Sequence, residues 1–194
     1  DDIDAVVAVG GDGYNCNQSI AVIITSSDGV NWTTIDHGMG SRSMPLYDVH
    51  YGNNTFVTVG KWGSVLTSSD GSTWSVKNHV CIQNKNYFDY SANLKKVTYG
   101  NGLFITVGPY TNGVNLFSSS NASDWDKRDA YYGIQVQSWE NKDLNQIVFF
   151  EGKFITTGNG PNMWSNDGIN WNNFNSTCWY CANDTIPGNI YYSE

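Results

Sequence analysis

Short segments in which apolar and polar residues alternate recur along the chain, and turn-forming Gly, Asn, Asp and Ser separate them. Within residues 46–74, this two-residue period runs through Leu46–Tyr51, Phe56–Val59 and Val65–Ser68. A period of two is typical of half-buried β-strands. A fourth short strand is predicted around Trp74. The pattern therefore predicts a unit of four antiparallel strands joined by tight turns.

This unit occurs four times, in residues 6–32, 46–74, 94–125 and 144–171. The glycines that end the second strand of each unit lie at intervals of 50, 48 and 50 residues, at Gly10, Gly60, Gly108 and Gly158. Four antiparallel strands repeated at this period are typical of β-propeller blades. The first unit begins at its second strand and lacks the first.

The segment Gly188–Tyr192 matches the first strand of the other units, for example Asp48–Tyr51. We expect residues 188–192 to complete the first blade and close the ring, because closure removes open sheet edges. The sequence thus predicts one all-β domain over residues 1–194, a four-bladed β-propeller with repeats at about 1–36, 46–78, 94–128 and 144–175. A fragment of a larger propeller remains the alternative.

A turn of the form Ser-x-Asp-Gly-x-x-Trp lies between the third and fourth strands. We expect its carboxylate to accept backbone N–H groups, its Gly to adopt a positive φ, and its Trp to pack between neighbouring blades. In the third unit, Asn121 and Ala122 replace Asp and Gly. The turn acids are therefore predicted to be structural rather than catalytic: Asp28, Asp70 and Asp167.

This turn resembles the Asp-box, or BNR, repeat of sialidase-like and other extracellular propellers, in a compact version with one residue fewer before the Gly. The resemblance covers all four units and implies a propeller fold. Sialidase chemistry would need an arginine cluster, a Tyr nucleophile and an acid partner. The chain has only Arg42 and Arg128, so the resemblance does not imply that activity.

The loops between the second and third strands (B–C) and between successive blades (D–A) are the variable ones, and function concentrates on variable loops held by a rigid scaffold. We predict that the ligand site lies on this face. Aromatic rings can stack on sugars while neighbouring polar groups bind the hydroxyls. Many of the rings are expected to pack under their own loops instead. The candidate stacking residues are Tyr14, Trp62, Tyr110 and Trp139.

The first strand of each blade lines the central channel of a propeller, so equivalent polar residues should meet around its axis. These residues are Asp48, Lys96, Gln146 and Asn189, with His50 one step further along the second blade. They could bind a ligand or form a water-filled channel with a satisfied ion pair. If the protein is an enzyme, we expect Asp48, His50 and Lys96 to carry the chemistry.

All four cysteines fall in loops of the same face: Cys16, Cys81, Cys178 and Cys181. An even number of Cys in a loop-rich chain favours two disulfides and an oxidising compartment. The sequence starts at Asp1 without an initiator Met, and we expect a secreted protein. A redox motif at Cys178 and Cys181, or a zinc site formed by all four cysteines, is a weaker alternative, and no metal or cofactor is expected. Glycosylation sequons occur at Asn17, Asn31, Asn53, Asn121, Asn175 and Asn183.

The formal net charge is −8, with ten Lys and Arg against eighteen Asp and Glu. A nucleic-acid partner is disfavoured because it normally requires a basic face. No apolar run approaches the roughly 20 residues of a membrane helix. We therefore predict a lectin-like module whose partner is a glycan or polysaccharide. The alternatives are a glycan-active hydrolase or lyase, and a protein-interaction or adhesion module.

Overall fold

The computed structural model describes residues 5–13, 19–78, 93–111, 114–128, 143–159 and 162–174. The first sheet contains β1 (Val6–Asp12), β2 (Ile20–Ser26) and β3 (Thr33–Ile35), in that order. The second contains β4 (Leu46–Gly52), β5 (Thr55–Gly60), β6 (Val65–Ser68) and β7 (Ser75–Asn78). Short 3-10 segments occur at Gly40–Arg42 and Lys61–Gly63.

The third and fourth sheets repeat the arrangement of the second. They contain β8 (Lys96–Gly100), β9 (Leu103–Thr111), β10 (Val114–Ser119) and β11 (Asp126–Arg128), then β12 (Leu144–Phe150), β13 (Lys153–Gly158), β14 (Met163–Ser165) and β15 (Asn172–Asn173). All neighbouring strands are antiparallel. Each predicted repeat therefore forms one meander.

Side chains of one sheet alternate between the two neighbouring sheets, as the pleat requires. Val57, Val59 and Val65 of the second sheet pack against Phe104 and Phe117 of the third. Equivalent clusters lie between the first and second sheets and between the third and fourth. In the described residues, the hydrophobic core therefore lies between successive sheets rather than along the propeller axis.

The innermost strands β4, β8 and β12 contact one another in sequence, which places them around a common axis. On one face, which we call the turn face, Asn101 Nδ2 donates to the carbonyls of Gly152 and Asn166 over 3.2 and 2.7 Å. These contacts bring together turns of the A–B and C–D type from two blades. On the opposite side, which we call the loop face, the described part of the second B–C segment is bonded to two D–A segments, through Lys61 N–H to the Pro45 carbonyl and Trp62 N–H to Asn93 Oδ1.

The chain is therefore an all-β propeller, and its four sheets fit four blades. The closing strand predicted at residues 188–192 lies outside the described residues. Two expectations are corrected. The fourth strand follows the turn Trp instead of surrounding it, since β7 begins at Ser75. Tyr110 belongs to strand β9, because the β9–β10 hairpin extends into the predicted B–C loop.

Candidate functional site

The turn acids have their carboxylates occupied by the backbone. Asp70 Oδ1 accepts the N–H groups of Ser72 and Thr73 over 2.8 and 2.7 Å, and the Ser68 hydroxyl donates to it over 3.0 Å. These bonds favour the charged form and lower the pKa of Asp70 to about 2. Asp28 and Asp167 make the same contacts, and their pKa values are lowered for the same reason. All three therefore have a structural role in the turn face.

The tryptophans of these turns differ in burial. The indoles of Trp74 and Trp125 are buried in the clusters between blades, and each Nε1 donates to a carbonyl of its own turn. Trp171 packs, half-buried, against the cluster between the third and fourth sheets. Trp32 is exposed in the described residues. The expected packing between blades is therefore observed for three of the four rings.

A tight loop at the loop face, Lys61–Ser64, presents Trp62; we call it the Trp62 loop. The Lys61 N–H donates to the Pro45 carbonyl over 2.9 Å, and Asn78 Nδ2 donates to the Gly63 carbonyl over 2.6 Å. The Trp62 N–H donates to Asn93 Oδ1 over 3.2 Å. Hydrogen bonds to three surrounding segments, at Pro45, Asn78 and Asn93, therefore hold the backbone of the loop.

Trp62 itself adopts a left-handed backbone conformation, with φ 53° and ψ 40°. This conformation is unfavourable for a bulky residue and persists only where the surroundings impose it. Such strain is concentrated at binding and catalytic sites. The backbone of Trp62 is thus held in this conformation by its loop rather than by intrinsic preference, and its indole is half-buried.

Lys61 connects this loop to the first blade. Its Nζ donates to the Gly13 carbonyl over 2.7 Å and lies 5.9 Å from the centre of the Trp62 ring. At this distance an ammonium group interacts with the indole face. Through Gly13 and Asn93, the Trp62 loop is therefore bonded to the blades on both sides.

Asp48 and Lys96 meet at the channel, as their equivalent positions predicted. Asp48 Oδ1 lies 3.2 Å from Lys96 Nζ, and Oδ2 accepts the Val97 N–H over 2.9 Å. Burial raises the pKa of Asp48 despite the opposing effects of Val97 N–H and Lys96. Burial also lowers the pKa of His50 on the same strand, although the Asp48 charge opposes it. The pair connects the second blade to the third.

Of the residues directly before Asp48, Lys96 and Gln146, two form a second polar contact between blades. Lys95 Nζ donates to Asn145 Oδ1, which links the third blade to the fourth. Tyr47 occupies this position in the second blade, and its side chain is 43% exposed. The partial burial that remains raises the pKa of its hydroxyl. Gln146 follows Asn145 on β12, at the register position of Asp48 and Lys96.

Of the predicted site residues, the structure places Trp62, Asp48, Lys96, His50 and Gln146 in the second, third and fourth blades. Tyr110 is placed by its backbone in β9. The remaining predicted residues lie outside the described residues: Tyr14, Trp139, Asn189, Cys16, Cys81, Cys178 and Cys181. Sequence reasoning missed Lys61, Asn78 and Asn93. Lys61 adjoins Trp62, whereas Asn78 and Asn93 lie far from it in sequence and carry no signal that separates them from the other asparagines of the chain.

Within the described residues, no group of three or more His, Cys, Asp or Glu side chains could hold a metal ion. No helix in the same part of the chain is long and apolar enough to cross a membrane.

Neither a protein-family model nor a curated protein matches the sequence. Among solved structures, the chain is similar to YCF48 bound to D1 peptide, with 12% identity and a TM-score of 0.48, covering 78% of this chain and 46% of that one. It is similar to YCF48 from Cyanidioschyzon merolae, with 16% identity, a TM-score of 0.48, and coverage of 77% and 47%. It is also similar to the GH74 enzyme of Niastella koreensis, with 16% identity, a TM-score of 0.47, and coverage of 82% and 23%.

The chain thus spans less than half the length of each of these proteins. At such identities and TM-scores, the fold assignment depends on the sheet order and contacts described above. No ligand or activity is transferred from these proteins to this chain.

Proposed function

We propose that this chain is a secreted, lectin-like propeller that binds glycans on its loop face, with Trp62 as the main stacking ring. The observation that carries the proposal is the left-handed conformation of Trp62, imposed by bonds to Asn78 and Asn93. A rigid aromatic ring loses little entropy when a sugar stacks on it. Its polar neighbours can bind hydroxyl groups.

The proposed contacts extend from Trp62 to the residues that the sequence placed on the same face. Lys61 Nζ lies 5.9 Å from the centre of the indole, and Asn93 Oδ1 accepts the Trp62 N–H. Asp48 lies on β4 opposite Val59, which is two residues before the start of the Trp62 loop. Gln146 would offer a further amide from the fourth blade. We keep the other predicted ligand contacts as part of the proposal: Tyr14, Tyr110, Trp139 and Asn189.

The test is a glycan array followed by titration of the bound sugars by isothermal titration calorimetry, a readout that does not depend on the Trp62 ring itself. We expect Trp62→Ala to lower the affinity by about fivefold or more, because a stacking ring that becomes buried by the ligand contributes roughly 1–3 kcal/mol to binding. Phe150→Ala is the matched control, since this exposed ring ends β12 on the turn face. Binding of no sugar, or equal loss in both variants, would refute the proposal.

A glycan-active hydrolase or lyase is the second candidate. It is favoured by Asp48 and His50, because burial raises the pKa of the acid and lowers that of the base on one strand. Incubation with plant, fungal and algal polysaccharides, followed by reducing-end and unsaturated-uronide assays, tests it. Product formation that disappears in Asp48→Asn and persists in Trp62→Ala would favour this candidate over a lectin.

We also propose that the four C–D turns are Asp-box repeats. The support is their common bond pattern, in which one side-chain oxygen accepts two successive backbone N–H groups. This assignment concerns the scaffold and leaves the ligand open.

A further inference from the structure

The first sheet exposes an apolar face that the other sheets bury. Val6 lies opposite the turn serine Ser26, as Phe56, Phe104 and Phe154 lie opposite the serines of their own sheets. Val6 is 50% exposed, whereas the three phenylalanines are 6%, 1% and 0% exposed. Ile20 and Val22, which share this face of β2, are exposed as well.

The turn of the first blade shows the same difference. Trp32 is 40% exposed, whereas Trp74 and Trp125 are 8% and 5% exposed. A Cβ atom added at Gly71 or Gly168 would touch the preceding blade, but one added at Gly29 would have nothing within 4 Å. In the described residues, the turn of the first blade therefore lacks the neighbour that the equivalent turns have.

A third difference lies at the inner edge of the first sheet, where β1 pairs with β2 alone among the described strands. A Cβ atom at Gly60, Gly108 or Gly158 would lie 2.0–2.2 Å from a carbonyl oxygen that leads into the inner strand of that blade. At Gly10, nothing lies within 4 Å. Gly10 thus occupies the position at which the other three blades bring a backbone carbonyl close to a glycine, but the described residues place no such carbonyl beside it.

We propose that residues 188–192 of the same chain pair with the open edge of β1. We also propose that the exposed face of the first sheet packs on the face of the fourth sheet that points away from the third, which we call its outer face. Ile190 is the equivalent of Val49, Val97 and Ile147, which all contribute to clusters between blades. The outer face of the fourth sheet offers the half-buried pair Ile155 and Trp164. The apolar face of the first sheet and the apolar face of the fourth sheet could therefore pack together as the equivalent faces of the other neighbouring sheets do.

This pairing would also complete the channel. Asp48, Lys96 and Gln146 occupy one register position in three blades. Asn189 would supply the fourth side chain beside Asp48. The inference does not depend on the proposed function, since it concerns which surface covers the first blade.

The decisive comparison is between Gly10→Ala and Gly60→Ala in the full chain, measured by thermal unfolding. A strand beside Gly10 predicts that both variants lower Tm by more than about 5 °C, because a methyl group cannot share space with a backbone carbonyl. An open edge predicts that only Gly60→Ala does so, since Ala is slightly better than Gly in an ordinary strand. An unchanged Tm for Gly10→Ala would overturn the proposal.

Two further measurements identify the occupant. Ile190→Asp should increase amide exchange in β1, while Ile169→Asp, at an exposed turn position, should leave it unchanged. Light scattering should give a monomer at every concentration at which β1 is protected. A protected β1 found only in a dimer would assign the surface to a second copy, and equal exchange in both variants would exclude residues 188–192.

Discussion

The turn of the third blade exchanges the positions of an acid and an amide. Asn31 Nδ2 donates to Asp28 Oδ2 over 2.7 Å, and Asn170 makes the same bond to Asp167 over 2.8 Å. In the third blade, Asn121 Nδ2 donates to Asp124 Oδ2 over 2.9 Å. The side-chain bond is kept although its donor and acceptor have changed places. We therefore expect these two positions to be energetically coupled.

Asn121→Asp would place two carboxylates against each other. Two like charges about 4 Å apart in water repel by about 1 kcal/mol, and the lost hydrogen bond adds about 0.5–1 kcal/mol. The variant should therefore be less stable by about 1–2 kcal/mol, which corresponds to a fall in Tm of about 3–6 °C for a chain of this size. Adding Asp124→Asn restores the arrangement of the first blade and should return the stability to within about 0.5 kcal/mol of wild type.

Thermal unfolding followed by circular dichroism, with Asp124→Asn alone completing the double-mutant cycle, measures the coupling. At pH 7 the coupling should exceed about 1 kcal/mol. It should shrink as the salt concentration rises to about 1 M, because ions screen the repulsion between two exposed carboxylates. Additive effects at low salt, or a coupling independent of salt, would refute this explanation of the exchanged pair.

Three other predictions concern the site and the scaffold. Asn93→Ala removes the acceptor of the Trp62 N–H, and glycan affinity measured by fluorescence should fall about threefold or more while Tm stays within about 3 °C. Asp48 has a raised pKa, so wild type should gain in Tm over Asp48→Asn as the pH falls from 7 to 4. Gly52→Ala places a Cβ atom 2.4 Å from the Tyr99 ring and should cost about 1–3 kcal/mol in urea unfolding.

Unchanged affinity in Asn93→Ala would mean that the ligand does not use the fixed indole. A constant Tm difference for Asp48→Asn across this range would mean that its carboxyl has the same pKa in the folded and unfolded chain. Full stability of Gly52→Ala would show that the Tyr99 ring can move away without loss of packing.

The scaffold was predictable because its signals are local. The two-residue period of Val65–Ser68 predicted β6 with its bounds, and the predicted Leu46–Tyr51 falls one residue short of β4. The turn acids followed from the hydrogen-bonding capacity of Asp in short turns. The extent of β9 was not predictable, because polar residues such as Thr111 in a hairpin extension resemble a loop.

The site was predictable only in part. Trp62 stood out as a large ring in a short variable loop, and Asp48 and Lys96 as equivalent positions of one strand. The role of Asn93 was not accessible, since its side chain meets Trp62 across 31 residues of sequence and a blade boundary. Nothing in a single sequence distinguishes this asparagine from the many others in loops.

The attachment of the Trp62 loop to Gly13 and Asn93 has an evolutionary consequence. Duplicated modules usually diverge one at a time, and their order can be permuted. Here three successive modules contribute to one short turn, so replacing or reordering any of them would disturb it. Selection on this turn would therefore act on the order of the first three blades. Recombination among the blades would be more constrained than the similarity of their sequences indicates.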